Sequence, residues 1–162
     1  MPEKIKEVKP PSGLARLAFR MPILLYRIGL GGLLGHRFLL LTHTGRKSGL
    51  ARQTVLEVVR YDPQTENYVI AVGFGKHSDW YKNILANPDV TVQSAGKRVQ
   101  AVAEQLGPDE AGDELVRYAR VHPTTFRELV TFRGYRVDGT EADIHALGEY
   151  LKMFVLKPKP AG

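Results

Sequence analysis

No cysteine occurs among the 162 residues. That removes disulfides, thiolate metal sites and a cysteine nucleophile together. The five histidines (His36, His43, His77, His122 and His145) show no HxxH or HExxH spacing, so no zinc-type ligand set is written into the chain and no metal is expected. A GxSxG nucleophile elbow is missing. His77, Ser78 and Asp79 are adjacent in sequence, whereas a catalytic triad is assembled from separated segments. Long apolar runs are missing as well. The most apolar stretch, MPILLYRIGLGGLLGHRFLLL at 21–41, is cut by Arg27, His36 and Arg37. The 8 uncharged residues between Arg27 and His36 fall short of the roughly 18–20 that a spanning helix needs. The stretch also lacks a small-residue cleavage pattern and starts too far from the N-terminus for a signal peptide, so a cytoplasmic location is expected. Acidic residues are scarce early on: residues 1–60 hold 11 Lys/Arg against 3 Asp/Glu, and residues 61–162 hold 12 against 14. The basic half suits a phosphate, an anionic ligand or an anionic membrane surface, with plain solubility as the simpler account. No aromatic platform is interleaved with the basic residues, so nucleic acid is not an expected partner.

What is present fits one domain with a real core, at 43% hydrophobic content. Residues 1–11, MPEKIKEVKPP, read as a mobile arm, and residues 12–162 as a single domain. Ser12 suits an N-cap, and Leu14, Leu17, Ala18 and Met21 follow at helical spacing. Pro22 breaks that helix or starts a second one. Residues 12–33 thus read as a basic amphipathic helical segment carrying Arg16, Arg20 and Arg27. It either packs across a sheet or makes a peripheral membrane contact. From residue 37 the pattern turns to strands: RFLLLT, QTVLEVVRYD and NYVIAVGF. SDWYKNILANP predicts a short helix, capped by Ser78 and stopped by Asn87-Pro88. DVTVQSAGKRVQAVAEQL predicts a hairpin turning at Ser94-Ala95-Gly96. Two helices follow in PDEAGDELVRYARVHPTTFRELVTF, and EYLKMFVLKP reads as a closing strand. Sequential strands with short turns argue for an antiparallel sheet that closes on itself.

The chemically richest stretch is THTGRKSGLARQT at 42–54. It is not a P-loop, because Arg46 separates Gly45 from Lys47 and a strand rather than a helix follows. The physics of anion binding survives without that motif. Gly45 and Gly49 free the backbone to turn its N–H groups toward a ligand, and Thr42, Thr44 and Ser48 add hydroxyls. Arg46, Lys47 and Arg52 add charge-assisted hydrogen bonds. The competing reading is a solvated hairpin tip. GFGKHS at 73–78 imitates GxGxxG only weakly, since Ser78 replaces the third glycine in an antiparallel context. Gly73 and Gly75 still mark a strand end where a flat ligand can approach the backbone.

Together, LLLTHTGRKSGLARQT, VIAVGFG and DWYKNILANPDVTVQ resemble the deazaflavin-dependent nitroreductase family, small split β-barrels that bind coenzyme F420. The close match covers about residues 36–93. The resemblance implies a mainly β, α+β fold: an FMN-binding-like split β-barrel of antiparallel strands with flanking helices. It implies that Thr44, Gly45, Arg46, Lys47, Ser48, Gly49 and Arg52 hold the cofactor's phosphate and anionic oligoglutamate tail. Val72, Gly73, Phe74 and Gly75 would lie beside the deazaflavin ring. Trp80, Tyr81 and Asn83 would begin the helix that closes this side, with core packing as the alternative for Trp80. The implied chemistry is hydride transfer to a small-molecule acceptor of the quinone, enone or nitro type, with F420 as donor. FMN, whose single phosphate suits the same loop, and a carrier without turnover are the alternatives. A homodimer is compatible with the sequence.

Two departures bear on the acceptor. His77-Ser78-Asp79-Trp80 stands where better-known members have His-Pro-x-Trp. YARVHPTTFRELVTF places His122 and Phe126 where tyrosines are expected. The candidate acceptor pocket is Tyr118, His122, Phe126 and Tyr135, with no catalytic side chain assigned.

Overall fold

The structure, a computed structural model, describes residues 2–4, 35–72 and 78–160. The expected helical segment 12–33 and the strand end Gly73, Phe74 and Gly75 lie outside the described residues. Within the N-terminal arm, β1 (Glu3–Lys4) pairs antiparallel with β7 (Tyr135–Arg136).

Six strands close into a barrel in the order β2-β3-β4-β8-β6-β5, every pairing antiparallel. They are β2 (Phe38–Thr44), β3 (Ala51–Asp62), β4 (Asn67–Ala71), β5 (Asp89–Ser94), β6 (Lys97–Gln105) and β8 (Met153–Pro158). Alternation explains the closure. Leu39 and Leu41, Tyr68 and Ile70, Val90 and Val92, Ala101 and Ala103, Phe154 and Leu156 all point inward and fill the barrel. The long β3 serves two neighbours, and a bulge between Val58 and Arg60 bends it from β2 toward β4. Ala95 and Gly96 both take positive φ, of 50° and 77°. That is the type I′ geometry a two-residue hairpin loop needs, so the predicted turn is the observed one.

Among the described residues four α-helices flank the barrel: α1 (Asp79–Ala86), α2 (Pro108–Val121), α3 (Pro123–Phe132) and α4 (Glu141–Ala146). A second core forms where Val69, Ala71 and Met153 on the outer faces of β4 and β8 meet Leu115, Tyr118, Phe126, Val130, Ile144 and Leu147. Burial on both faces is why NYVIA and MFVL read as continuous apolar runs rather than alternating ones.

Three expectations need adjustment. The closing strand begins at Met153, because Leu147–Glu149 continues α4 as a 3₁₀ turn. The helix α4 was not expected, since its sequence is polar. Its start signal is nonetheless present: Thr140 Oγ1 accepts from Asp143 N at 3.2 Å. Ser78 occupies the N-cap position of α1, but its hydroxyl makes no capping bond and is buried without a partner.

Candidate functional site

The stretch 42–54 splits between two strands and a tip. Thr42 and Thr44 belong to β2, Arg52 to β3, and residues 45–50 connect them, with Thr44 opposite Ala51. The tip is internally tied. Gly45 N donates to Leu50 O at 2.8 Å and Gly49 N to Gly45 O at 2.9 Å. Leu50 N donates to Ser48 Oγ at 3.2 Å. Gly49 takes φ +71°, which favours glycine. A Cβ at Gly45 would lie 2.6 Å from Ser48 Oγ and so would displace the hydroxyl that accepts from Leu50 N.

A second set of bonds fastens this tip to α1. Asn83 Oδ1 accepts from Arg46 N at 3.0 Å and from Arg46 Nη1 at 2.8 Å. Its Nδ2 lies 3.1 Å from His43 Nδ1, so the amide donates and the imidazole accepts. Arg46 Nη2 reaches the exposed Asp79 carboxylate at 3.5 Å. His43 is 5% exposed. Burial lowers its pKa from 6.5 to about 4, Asp79 opposes that shift and Arg52 adds to it. His43 is therefore neutral at pH 7 and serves as an acceptor.

The three cations of the tip thus have different surroundings. Arg46 is engaged by Asn83 and Asp79 and holds the tip on the helix. Lys47 and Arg52 are exposed and have no ion-pair partner among the described residues. They are the positive charges left for an anion, and an exposed tip with fixed backbone is a suitable cradle for one. Among the described residues no group of His, Asp and Glu could hold a metal ion, and no helix is long and apolar enough to cross a membrane.

The remaining candidates separate into core and surface. Val72 is buried, and its N–H donates to Lys152 O at 2.9 Å. Trp80 and the half-buried Tyr81 meet the ring of Phe154 edge-on, with centroids 6.4 and 5.8 Å away. Trp80 is thus part of the barrel core. Phe126 is likewise buried among the helices. Tyr118 is 7% exposed, and its hydroxyl lies 3.5 Å from Glu57 Oε1. The exposed His122 ring lies 5.1 Å from the Tyr118 ring. Tyr135 stacks on Tyr150 at 6.0 Å. Burial raises the pKa of both Tyr118 and Tyr135, so both remain protonated hydroxyls at neutral pH.

Sequence reasoning passed over three residues of these two clusters. His43 carried a signal, since it continues the inward-facing series of Leu39 and Leu41. Glu57 joins Tyr118 only through the tertiary fold, and Asp79, read from the sequence only beside His77 and Ser78, meets Arg46 across it.

Comparison with known proteins fits this geometry. A family model described as F420H(2)-dependent quinone reductase matches residues 26–135. The F420H(2)-dependent quinone reductase of Mycobacterium tuberculosis is 34% identical over 95 residues, covering 53% of this chain and 61% of the relative. A putative F420H(2)-dependent quinone reductase of Mycobacterium bovis gives the same figures. The chain therefore spans about three fifths of the length of the curated relatives it matches, 61%. Among solved structures, an F420-H2 dependent reductase (FDR-A) is 26% identical with a TM-score of 0.52, covering 75% of this chain and 94% of that one. A domain-swapped dimer gives a TM-score of 0.55 at 22% identity, covering 90% of this chain and 100% of that one, and supports the fold alone. The expected split barrel and the resemblance to deazaflavin-dependent reductases are both borne out. With 26–135 matched, the chain belongs to the F420H(2)-dependent quinone reductase family.

Proposed function

We propose that the chain is an F420-dependent reductase that passes a hydride to a small conjugated acceptor, a quinone first, with enones and nitro compounds as further candidates. The observation that carries this reading is the hairpin tip: two exposed cations, Lys47 and Arg52, without an ion-pair partner among the described residues, on a backbone fixed by Asn83. Coenzyme F420 brings a phosphate and an anionic tail, which match that charge. When bound, it supplies a hydride. The residues proposed to hold it are Thr44, Gly45, Lys47, Ser48, Gly49 and Arg52, with Arg46 and Asn83 keeping the tip in shape. Val72, Gly73, Phe74 and Gly75 are proposed for the ring side, with Tyr81 on the helix that closes it.

The test is a fluorescence titration with F420, FMN and FAD, on the wild type and on a Lys47→Ala, Arg52→Ala variant. A charge-assisted hydrogen bond contributes roughly 1.5–3 kcal/mol, so the double variant should lose about a hundredfold or more in F420 affinity. Wild-type binding should weaken with added salt. Tighter binding of FMN than of F420 would make the chain an FMN-using relative. Tight F420 binding without oxidation of the reduced cofactor by any quinone would make it a carrier.

A further inference from the structure

The buried imidazole of His43 lies at the end of β2, where the barrel meets the tip, and the proposed cofactor contacts give it no task. It continues the inward series of Leu39 and Leu41. Among the described residues its one side-chain hydrogen bond joins Nδ1 to Asn83 Nδ2 at 3.1 Å. Arg52 stands opposite it in the register of β2 and β3. The Arg52 Nε comes to 3.7 Å from the place a Cβ would take at Gly45. His43 thus sits at the root of the tip, across the strands from one of the two cations left for an anion.

Hydrogen-bond chemistry fixes the state of this ring. A side-chain amide has one accepting and one donating end, and their partners tell the two apart. Arg46 N–H and Nη1–H are donors alone, and they converge on one Asn83 atom at 3.0 and 2.8 Å. That atom is therefore the oxygen. The other end is the NH₂ group, and it points at His43 Nδ1. Nδ1 must then offer its lone pair, which places the ring proton on Nε2. Burial and the neighbouring Arg52 keep the ring neutral against the opposing pull of Asp79. The consequence reaches Arg46. With the amide turned over, its NH₂ group would face two donors and both Arg46 bonds would be lost. The tip would keep only its internal bonds: Gly45 N to Leu50 O, Gly49 N to Gly45 O and Leu50 N to Ser48 Oγ. The partly exposed Arg46 side chain can turn to water instead, whereas the buried Nδ1 has no substitute partner. The preference for one end of the amide is therefore set from the His43 side.

We infer that His43 is a positioning residue of the cofactor site: by accepting from Asn83 through Nδ1 it fixes which end of that amide meets Arg46, and so holds the tip in the shape that takes an anion. This rests on the proposed reading of the tip as the cradle for the F420 phosphate. His43 itself touches no ligand and acts through Asn83. The competing account is a core histidine satisfied by the nearest donor. Its loss would then weaken the fold as a whole, with no special effect on the tip and no dependence on Asn83.

Three variants separate the accounts. His43→Leu removes the acceptor and keeps an apolar side chain in its place. His43→Asn offers an Oδ1 where Nδ1 stood. The third combines His43→Leu with Asn83→Ala. Binding of F420 is followed by fluorescence titration, and exchange of the Arg46 backbone amide by NMR with no cofactor present. His43→Leu should weaken F420 binding by about tenfold, as the loss of one hydrogen bond implies. It should speed Arg46 amide exchange by about the same factor, and His43→Asn should recover most of both. In the Asn83→Ala background, His43→Leu should change affinity by less than about twofold, because the path through Asn83 is already cut. Wild-type affinity and exchange in folded His43→Leu overturn the proposal. So does an equal loss in His43→Leu and His43→Asn, or an equal loss with and without the Asn83 side chain, as the core account predicts. If His43→Leu does not fold, an imidazole nitrogen spectrum of the wild type and the Arg46 exchange rate of His43→Asn decide. A protonated Nδ1 overturns the proposal, as does exchange in His43→Asn as fast as in Asn83→Ala; a pyridine-type Nδ1 with slow exchange in His43→Asn upholds it. Failure of wild type to bind F420 would overturn the reductase reading, while the Arg46 exchange rates would still decide the role of His43.

Discussion

Asn83→Ala is the sharpest single perturbation of the candidate cofactor site, because one side chain joins the tip to both the helix and the barrel. Its Oδ1 accepts from Arg46 N and Nη1 at 3.0 and 2.8 Å, and its Nδ2 donates to His43 at 3.1 Å. Removing it deletes one charge-assisted bond, worth roughly 1.5–3 kcal/mol, and two neutral bonds of about 1 kcal/mol each. Arg46 is partly exposed and regains water, whereas the buried His43 Nδ1 does not. A net loss of about 2–4 kcal/mol follows, which lowers Tm by about 5–10 °C for a chain of this size. Because the tip would be held only by its internal bonds, binding must first re-form it. F420 affinity should fall by about tenfold to a hundredfold, at 1.4 kcal/mol per decade. Asn83→Asp is the informative companion. It keeps an acceptor for Arg46 but turns a carboxylate toward His43, which favours the protonated imidazole. Its stability relative to Asn83→Ala should therefore rise as pH falls below 7. Differential scanning fluorimetry from pH 8 to 5 and fluorescence titration with F420 measure both effects. Wild-type Tm and wild-type F420 affinity in Asn83→Ala would refute the reasoning, since they would mean the tip does not depend on this bridge.

The other expectations are simpler. The pKa of His43 is depressed from 6.5 to about 4, so between those values the unfolded chain binds the extra proton. Wild-type stability should be fully present above pH 6.5 and fall as pH drops toward 4, and His43→Gln should flatten that window in a series of pH-dependent melts. A Cβ at Gly148 would lie 2.2 Å from Pro108 O and 2.6 Å from Gly112 N, both backbone atoms. Gly148→Ala should therefore destabilise by about 1–3 kcal/mol or more through overpacking, read as a lower urea midpoint at unchanged slope. Menadione should oxidise reduced F420 faster than a nitroimidazole does at equal concentration, followed by the return of F420 absorbance. A faster nitroimidazole would reverse the ranking drawn from His122 and Phe126.

Much of the barrel was legible because its strands obey one period. Leu39 and Leu41, Val90 and Val92, Ala101 and Ala103 alternate as a one-sided strand must, and Ala95-Gly96 fixes its own turn. The legible part ends where local pattern and tertiary demand diverge. The polar run GTEADIHALGE becomes helix and 3₁₀ turn because Gly148 and Gly112 let backbones pack against each other there, a contact that no periodicity displays. The two-residue strands β1 and β7 are each too short to show a period. They form because the N-terminal arm finds the edge of Tyr135–Arg136.

At the site, composition announced charge but not its division of labour. Arg46, Lys47 and Arg52 look equivalent in THTGRKSGLARQT, and only the fold shows that Arg46 is committed to Asn83 and Asp79 while the other two face solvent. The difference is one of partners, since all three residues are exposed. A guanidinium can make several directed bonds while keeping part of itself in water, so it suits the junction between tip and helix, whereas a lysine at the apex stays a mobile point charge. Arg133 is the reverse case. There the sequence shows one more basic residue among many, and the fold removes its solvent without giving partners to Nε and Nη1. At the tip, the candidate anion site is read from which charges the fold pairs and which it leaves facing solvent. Which groups are satisfied is set by long-range packing: His43 meets Asn83 across 40 positions, and Tyr118 meets Glu57 across 61.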